Sequence, residues 1–216
     1  MTVRVVPDDA AGRAEAVRTL RAGGVVGLPT DTVYGIGVDL RTPGGVERLF
    51  AIKDRPPERA IMVLVDELAQ VTDLVTVPDP ARQLAERHWP GGLTLVLPLL
   101  PGAPVPPALV AGTRTLGVRL PAHPSPRALA RDLGPLPTTS ANRSGEPDAR
   151  SAEDVTATLG ERLELLLDGG PSPGGVPSTV VDCTGATARL IRVGAVAPSE
   201  LERTLGTALE AGPSRD

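Results

Sequence analysis

Aromatic residues are almost missing from this chain: Phe50, Trp89 and Tyr34 are the only ones in 216 residues. An aliphatic core must therefore do the packing, and surfaces that stack bases on rings are excluded in any number. Cysteine is nearly absent too. The lone Cys183 permits no internal disulfide and no cysteine-rich metal site, which fits a reducing compartment. No apolar run approaches 18 residues, and no basic-then-apolar leader opens the chain. The expectation is a complete, cytoplasmic protein with no membrane partner. Positive charge is not in excess. The formal net charge is −4, so no global field drives non-specific nucleic-acid binding, although a local basic groove remains possible. Several chemical signatures are missing as well: no Walker A loop, no GxGxxG opening a helix, no HExxH and no GxSxG. His88 lies on an apolar helical stripe and His123 precedes a helix cap, so both read as structural. Nothing points to histidine-based nucleophilic or metal chemistry.

What the chain does have is Val, Leu, Ala and Ile in short runs punctuated by 24 glycines and 24 prolines. The runs at 24–28, 61–65, 93–97, 116–120, 163–167, 178–182 and 188–193 predict strands buried on both faces. Between them, Ala10, Ala14 and Val17 mark a first helix. Thr42-Pro43 opens a helix presenting Val46, Leu49 and Phe50, Asp79-Pro80 a second, and Ser125-Pro126 a third. Ser199 with Glu202 makes a capping box for the last helix, over about 199–210. No repeat or linker divides the chain. The fold class is α/β (α+β in some schemes): one domain over 1–216, its motif-bearing core about 10–195. A twisted mixed sheet carries helices on its faces around a concave cleft. Pro98–Gly112 reads as the longest irregular loop.

Six segments carry groups suited to chemistry. Thr30, Asp31, Thr32 and Tyr34 crowd the loop after the first buried strand, where a rigid sheet places ligand contacts. The same residues also fit a capped turn. Lys53, Arg55 and Arg59 could clamp a polyphosphate, Arg through planar donors and Lys as a point charge; Asp54 and Glu58 between them equally suit a solvated loop. Arg119 interrupts an apolar strand pattern near Thr115. A cation there is costly to bury unless it meets a protein carboxylate or an anionic ligand. Thr138, Ser140 and Asn142 belong to a run of neutral donors suited to phosphates. A Gly-rich loop delivers Ser178 to the start of a strand. Arg192 repeats the argument made for Arg119.

Together and in order, these segments resemble the YrdC/TsaC family of threonylcarbamoyl-AMP synthases from about Gly23 to Gly194. The resemblance rests on Pro29-Thr30-Asp31-Thr32-Val33-Tyr34-Gly35, Lys53-Asp54-Arg55-Pro56, Trp89-Pro90-Gly91-Gly92-Leu93-Thr94, Ser140-Ala141-Asn142 and Ser178-Thr179-Val180-Val181-Asp182. The paired Lys-x-Arg and Ser-x-Asn elements are its signature. It implies an L-threonylcarbamoyladenylate synthase, a nucleotidyltransferase turning L-threonine, bicarbonate and ATP into threonylcarbamoyl-AMP and pyrophosphate. Mg²⁺ would accompany the ATP phosphates without protein ligands. A transferase complex would be a transient partner, moving the group to N6 of adenosine 37 in tRNA. Carried over by position, Thr32, Tyr34, Arg119, Thr138 and Ser178 hold threonine. Lys53, Arg55, Arg59, Thr115, Ser140, Asn142 and Arg192 meet ATP, with Lys53, Arg55, Ser140 and Asn142 as the catalytic set.

Arg59 and Leu64 stand where the family frequently has Asn and His, and Pro177 where Glu is frequent. The extra C-terminal domain of the longer branch is not part of the resemblance, which should leave the active site more open. Two other readings use the same surface: a double-stranded RNA-binding or ribosome-maturation factor, with weak RNA binding also conceivable as a side activity, and the carbamoyl-transfer domain of hydrogenase maturation. Sparse aromatics and acidic charge weigh against the first. The absence of zinc-finger cysteines weighs against the second.

Overall fold

The computed structural model describes residues 2–54 and 60–212. The chain runs β1 (Arg4–Pro7), α1 (Ala10–Arg21), β2 (Val26–Leu28), β3 (Gly35–Gly37), α2 (Gly45–Lys53), β4 (Met62–Leu64), α3 (Asp79–His88), β5 (Leu93–Pro98) and α4 (Pro107–Val110). It continues through β6 (Thr115–Arg119), α5 (Pro124–Leu133), β7 (Leu136–Ser140), α6 (Ala152–Leu159), β8 (Leu165–Asp168), β9 (Thr179–Asp182), β10 (Arg189–Arg192), α7 (Pro198–Leu205) and β11 (Glu210–Ala211). Among the described residues the strands make one sheet in the order β1-β8-β2-β3-β7-β4-β6-β5-β9-β10-β11. It is mixed. Parallel pairs such as β4 with β6 and β5 with β9 alternate with antiparallel ones such as β4 with β7 and β5 with β6. No helix among the described residues is long and apolar enough to cross a membrane.

The sheet's two faces are covered unequally, and this asymmetry creates the site. One face sends Val63, Leu93, Leu95, Leu97, Leu116, Val118, Leu166 and Val181 into the larger core, under α2, α3, α4, α6 and α7. The other sends Val26, Leu28, Leu136, Leu165 and Leu167 against Ala16, Val17 and Leu20 of α1 and Leu129 and Leu133 of α5. Those two helices cover only the half of that face nearer β1. Side chains alternate across a strand, so Thr94, Val96, Thr115, Gly117, Arg119 and Val180 emerge on the half left open. On β5, β6 and β9, runs that read as buried on both faces are thus apolar below and lined with small or polar groups above, whereas β2 and β8 are buried on both faces as expected.

Local chemistry explains most element ends. Asp9 accepts from the Gly12 amide to start α1, and Arg18 and Arg21 complement its last turn. Pro occupies the first turn of α3, α5 and α7, where its missing donor costs nothing. Three helix starts differ from expectation. Gly44, with φ of 75°, precedes α2 in place of Thr42, which instead receives the Gly45 amide on its carbonyl. His123, not Ser125, caps α5, its Nδ1 accepting from the Ser125 amide at 3.2 Å. Ser199 makes no cap at α7, because the helix already begins at Pro198 with Ala197 as its N-cap, and the Glu202 carboxylate accepts from the Leu209 amide instead.

Strands β1, β3, β7 and β11 and helix α6 escaped the sequence reading, and the last helix, expected over about 199–210, ends at Leu205 where Gly206 adopts φ of 68°. Polar or glycine-rich stretches such as Gly35–Gly37 and Leu136–Ser140 carry little apolar periodicity. Helix α4 likewise shortens the supposed loop at 98–112. α6 begins with a reciprocal box between Ser151 and Asp154. Ser151→Ala should therefore lower the unfolding free energy by about 1 kcal/mol, while Ser199→Ala leaves it unchanged. Urea unfolding of both variants checks the pair, and equal losses would contradict the assigned caps.

Candidate active site

The open half of the sheet forms a cleft of about 580 Å³. Met62 and Leu64 of β4, Thr94 and Val96 of β5, Thr115, Gly117 and Arg119 of β6, and Val180 and Asp182 of β9 make its floor. Thr30, Thr32 and Tyr34, Thr138 to Ser140, and Ser178 with Arg192 form its walls.

Arg119 dominates one end, only 2% exposed. Its Nη2 donates to Asp31 Oδ1 at 2.7 Å, Nη1 to Thr32 Oγ1 at 2.8 Å and Nε to the Gly91 carbonyl at 3.0 Å. The protein carboxylate that the strand pattern demanded is thus Asp31. Burial pulls the Arg119 pKa down and the Asp31 charge opposes that fall. A guanidinium stays protonated regardless. Two of its five N–H bonds are left over by these three contacts among the described residues, enough for an incoming anion. The capped-turn reading of the Thr30–Tyr34 loop holds at Thr30, and two of its neighbours turn to the buried cation. Thr30 builds the turn, its hydroxyl donating to the Val33 carbonyl at 2.6 Å, while Asp31 and Thr32 serve Arg119.

A glycine loop closes over this end. The Gly175 amide donates to the Thr32 carbonyl at 2.7 Å, and a side chain at Gly174 would meet the Asp31 carbonyl at 2.6 Å. Tyr34 is fully buried and lines the cleft. Its hydroxyl, however, is spent on the same loop: it donates to the Gly170 carbonyl at 2.7 Å and accepts from the Gly169 amide at 3.2 Å. Burial pushes its pKa up to about 12, so the phenol stays neutral.

Lys53 is the chain's only lysine and is 3% exposed. It does not reach the cleft wall. Its ammonium donates to the carbonyls of Ser140 and Asn142, both at 2.6 Å, and to Asn142 Oδ1 at 2.9 Å, from behind the Ser140–Asn142 turn. Asn142 likewise sits behind, accepting from Ser140 Oγ at 2.6 Å and donating to the Glu146 carbonyl. The Lys-x-Arg and Ser-x-Asn segments are thus joined through this ammonium, with Ser140 presented to the cleft. Arg55 and Arg59 lie outside the described residues.

Arg192 departs from the argument made for it. It is exposed on β10, close to the sheet's edge, and it reaches back over the cleft to the Ser178 carbonyl at 2.9 Å. Thr115 lines the opposite end, bonded to Thr113 at 3.0 Å, and Thr138 lines the wall beside β4. Three polar cleft residues were given no role: Thr94 and Asp182, quoted only as members of motifs, and Asp148, which went unread. Thr94 interrupts Leu93 and Leu95 as Arg119 interrupts its strand, so the signal was there. Burial pushes the Asp182 carboxyl up, but hydrogen bonds from Thr184 and Arg189 outweigh it and hold the pKa below the ordinary range. Both histidines are structural, as expected. His88 bonds Thr204 across α3 and α7, and burial holds His123 below the usual imidazole range.

The chain and its fold have known relatives. The Sua5/YciO/YrdC family model, described as "Telomere recombination", matches residues 18–194. The chain belongs to this family. A threonylcarbamoyl-AMP synthase of Bacillus subtilis (strain 168) is 38% identical over 195 residues, covering 89% of this chain and 56% of the relative. One from Idiomarina loihiensis is 32% identical over 172 residues, covering 78% of this chain and 91% of the relative. The crystal structure of Pyrococcus abyssi Sua5 complexed with L-threonine superposes with a TM-score of 0.90 at 33% identity, covering 97% of this chain and 62% of that one. The chain therefore spans little more than half of the Bacillus relative, and under two thirds of the Pyrococcus protein, but nearly all of the Idiomarina one. Within the Sua5/YciO/YrdC frame, the fold is the expected mixed α/β sheet with its cleft.

The sole lysine offers a direct check of the buried ammonium. Acylation with an amine-reactive ester should leave Lys53 unmodified in folded protein and modify it fully in urea, read by peptide mass spectrometry. Rapid modification of the native state would refute its place behind Ser140.

Proposed function

We propose that this Sua5/YciO/YrdC chain, as a single domain, is a cytoplasmic L-threonylcarbamoyladenylate synthase. The observation that carries the reading is Arg119, a buried cation with N–H bonds to spare, set in one cleft with Ser178, Arg192 and Ser140. The threonine carboxylate meets Arg119, and a hydrogen bond to a charged group contributes about 1.5–3 kcal/mol. Thr32, Thr138 and Ser178 surround the amino acid. Leu64 offers it an apolar wall. ATP lies along the remaining floor, its phosphates toward Ser140 and Arg192 and its nucleoside toward Thr115.

Bicarbonate condenses with the threonine amine to give a carbamate, losing water. A carbamate oxygen then attacks the α-phosphorus, the bond to the β-phosphate oxygen breaks, and pyrophosphate departs with that electron pair. No protein nucleophile is required, in keeping with a cleft whose described lining contains no histidine or cysteine. Holding the two anions in line supplies up to about 7–11 kcal/mol of barrier reduction. Fixed donors stabilise the charge that shifts toward the leaving group. Mg²⁺ accompanies the ATP phosphates as part of the substrate, and the protein's donors act around it. The product is passed to a tRNA-modifying transferase. RNA readout in the cleft is not favoured, because its one aromatic side chain, Tyr34, is fully buried and offers no stacking platform.

Purified protein should release pyrophosphate only when threonine, bicarbonate and ATP are all present. Release that persists without threonine would remove the reading. Arg119→Ala should raise the KM for threonine at least about 10-fold with a much smaller change for ATP, measured in the same assay. Equal damage to both would remove Arg119 from the carboxylate site.

A further inference from the structure

Thr94 is a buried hydroxyl on the cleft floor, 3% exposed, to which neither the sequence motifs nor the proposed chemistry gives a task. Its Oγ1 lies 2.8 Å from Ser178 Oγ and 3.4 Å from Met62 Sδ. The contact follows from the sheet. β5 and β9 run parallel with Thr94 opposite Val180, so the residue entering β9, Ser178, stands beside Thr94 on the same face.

Ser178 Oγ has a second neighbour, Arg192 Nη2 at 3.2 Å, and a guanidinium can only donate. The direction of the Thr94–Ser178 bond therefore decides what Ser178 offers a ligand. Should Thr94 give its proton to the Met62 thioether, a weak acceptor at long range, Ser178 would spend its own proton on Thr94. Should Thr94 donate to Ser178, the serine oxygen accepts twice and its proton is left for the cleft. The 2.8 Å contact to a hydroxyl is the stronger of the two acceptor choices. An anion in the cleft strengthens the second arrangement further, since it rewards a donor aimed at it.

We propose that Thr94 is a positioning residue for anion recognition: together with Arg192 it saturates the Ser178 oxygen and turns the Ser178 proton toward the substrate carboxylate or carbamate. Ser178 thereby becomes a one-way donor, complementing the spare N–H bonds of Arg119. The inference rests on the proposal that Ser178 serves the threonine site.

The test measures L-threonine binding by titration calorimetry, and the KM values for threonine and ATP, in Thr94→Val, Thr94→Ser, Ser178→Ala and the Thr94→Val/Ser178→Ala double variant. Valine keeps the shape and removes the donor; serine keeps the donor. Thr94→Val should bind threonine about 10-fold more weakly, with the ATP KM unchanged, and Thr94→Ser should recover most of the loss. The double variant should bind no more weakly than Ser178→Ala alone, since Thr94 acts through that hydroxyl. Wild-type binding retained in Thr94→Val, or losses that add in the double variant, would overturn the inference while leaving the threonine site intact. Wild-type protein that binds no threonine would overturn the parent assignment, and this inference with it.

Discussion

A guanidinium buried on a central strand is the constraint around which this structure is organised. Arg119 would be prohibitively costly on β6 without partners, so three separate stretches converge on it. The loop after β2 supplies Asp31 and Thr32, and the Gly91 carbonyl arrives from the turn after α3. The glycine loop before β9 then seals that contact by bonding Thr32 and passing close to Asp31. The loop after β2 and the segment leading into β9 also build walls of the cleft, through Thr30, Thr32 and Ser178.

A second buried cation does the same work from the other side. Lys53, at the last turn of α2, draws four oxygens of Ser140 and Asn142 around its ammonium. A further backbone bond from Ser144 to the Lys53 carbonyl ties the far side of the turn. The two cations differ in role because they differ in reach. Arg119 lines the cleft and its three bonds leave two N–H groups over, whereas the Lys53 ammonium gathers the oxygens of Ser140 and Asn142. In the segment read as a phosphate clamp, this residue also supports a hydroxyl-bearing turn.

Unequal coverage of the sheet gives these groups somewhere to act. α1 and α5 stop short of β6, β5 and β9, and the open face there alternates with a closed face of Leu and Val. Threonine and glycine on that face do two jobs. They leave volume for a ligand, and they place hydroxyls at strand spacing, as Thr94 and Ser178 show. Asp182, pinned by Thr184 and Arg189, carries the same strand face to the far end of the floor.

By itself the sequence determined the sheet's apolar strands, most of its helices, the cation interrupting β6 and the motif order that marks the family. Those features are local: period-two apolar runs, prolines in first turns and a charge out of place can be read without knowing neighbours. Only the folded structure showed where the helices start, since Ala197 precedes α7 and His123 accepts from the Ser125 amide ahead of α5. It also decided that Arg192 is exposed, that Tyr34 spends its hydroxyl on a glycine loop, and that Lys53 stands behind Ser140. Pairings across 87 or 88 positions, such as Arg119 with Thr32 and Asp31, depend on strand order and register, and neither is written in any short stretch of chain.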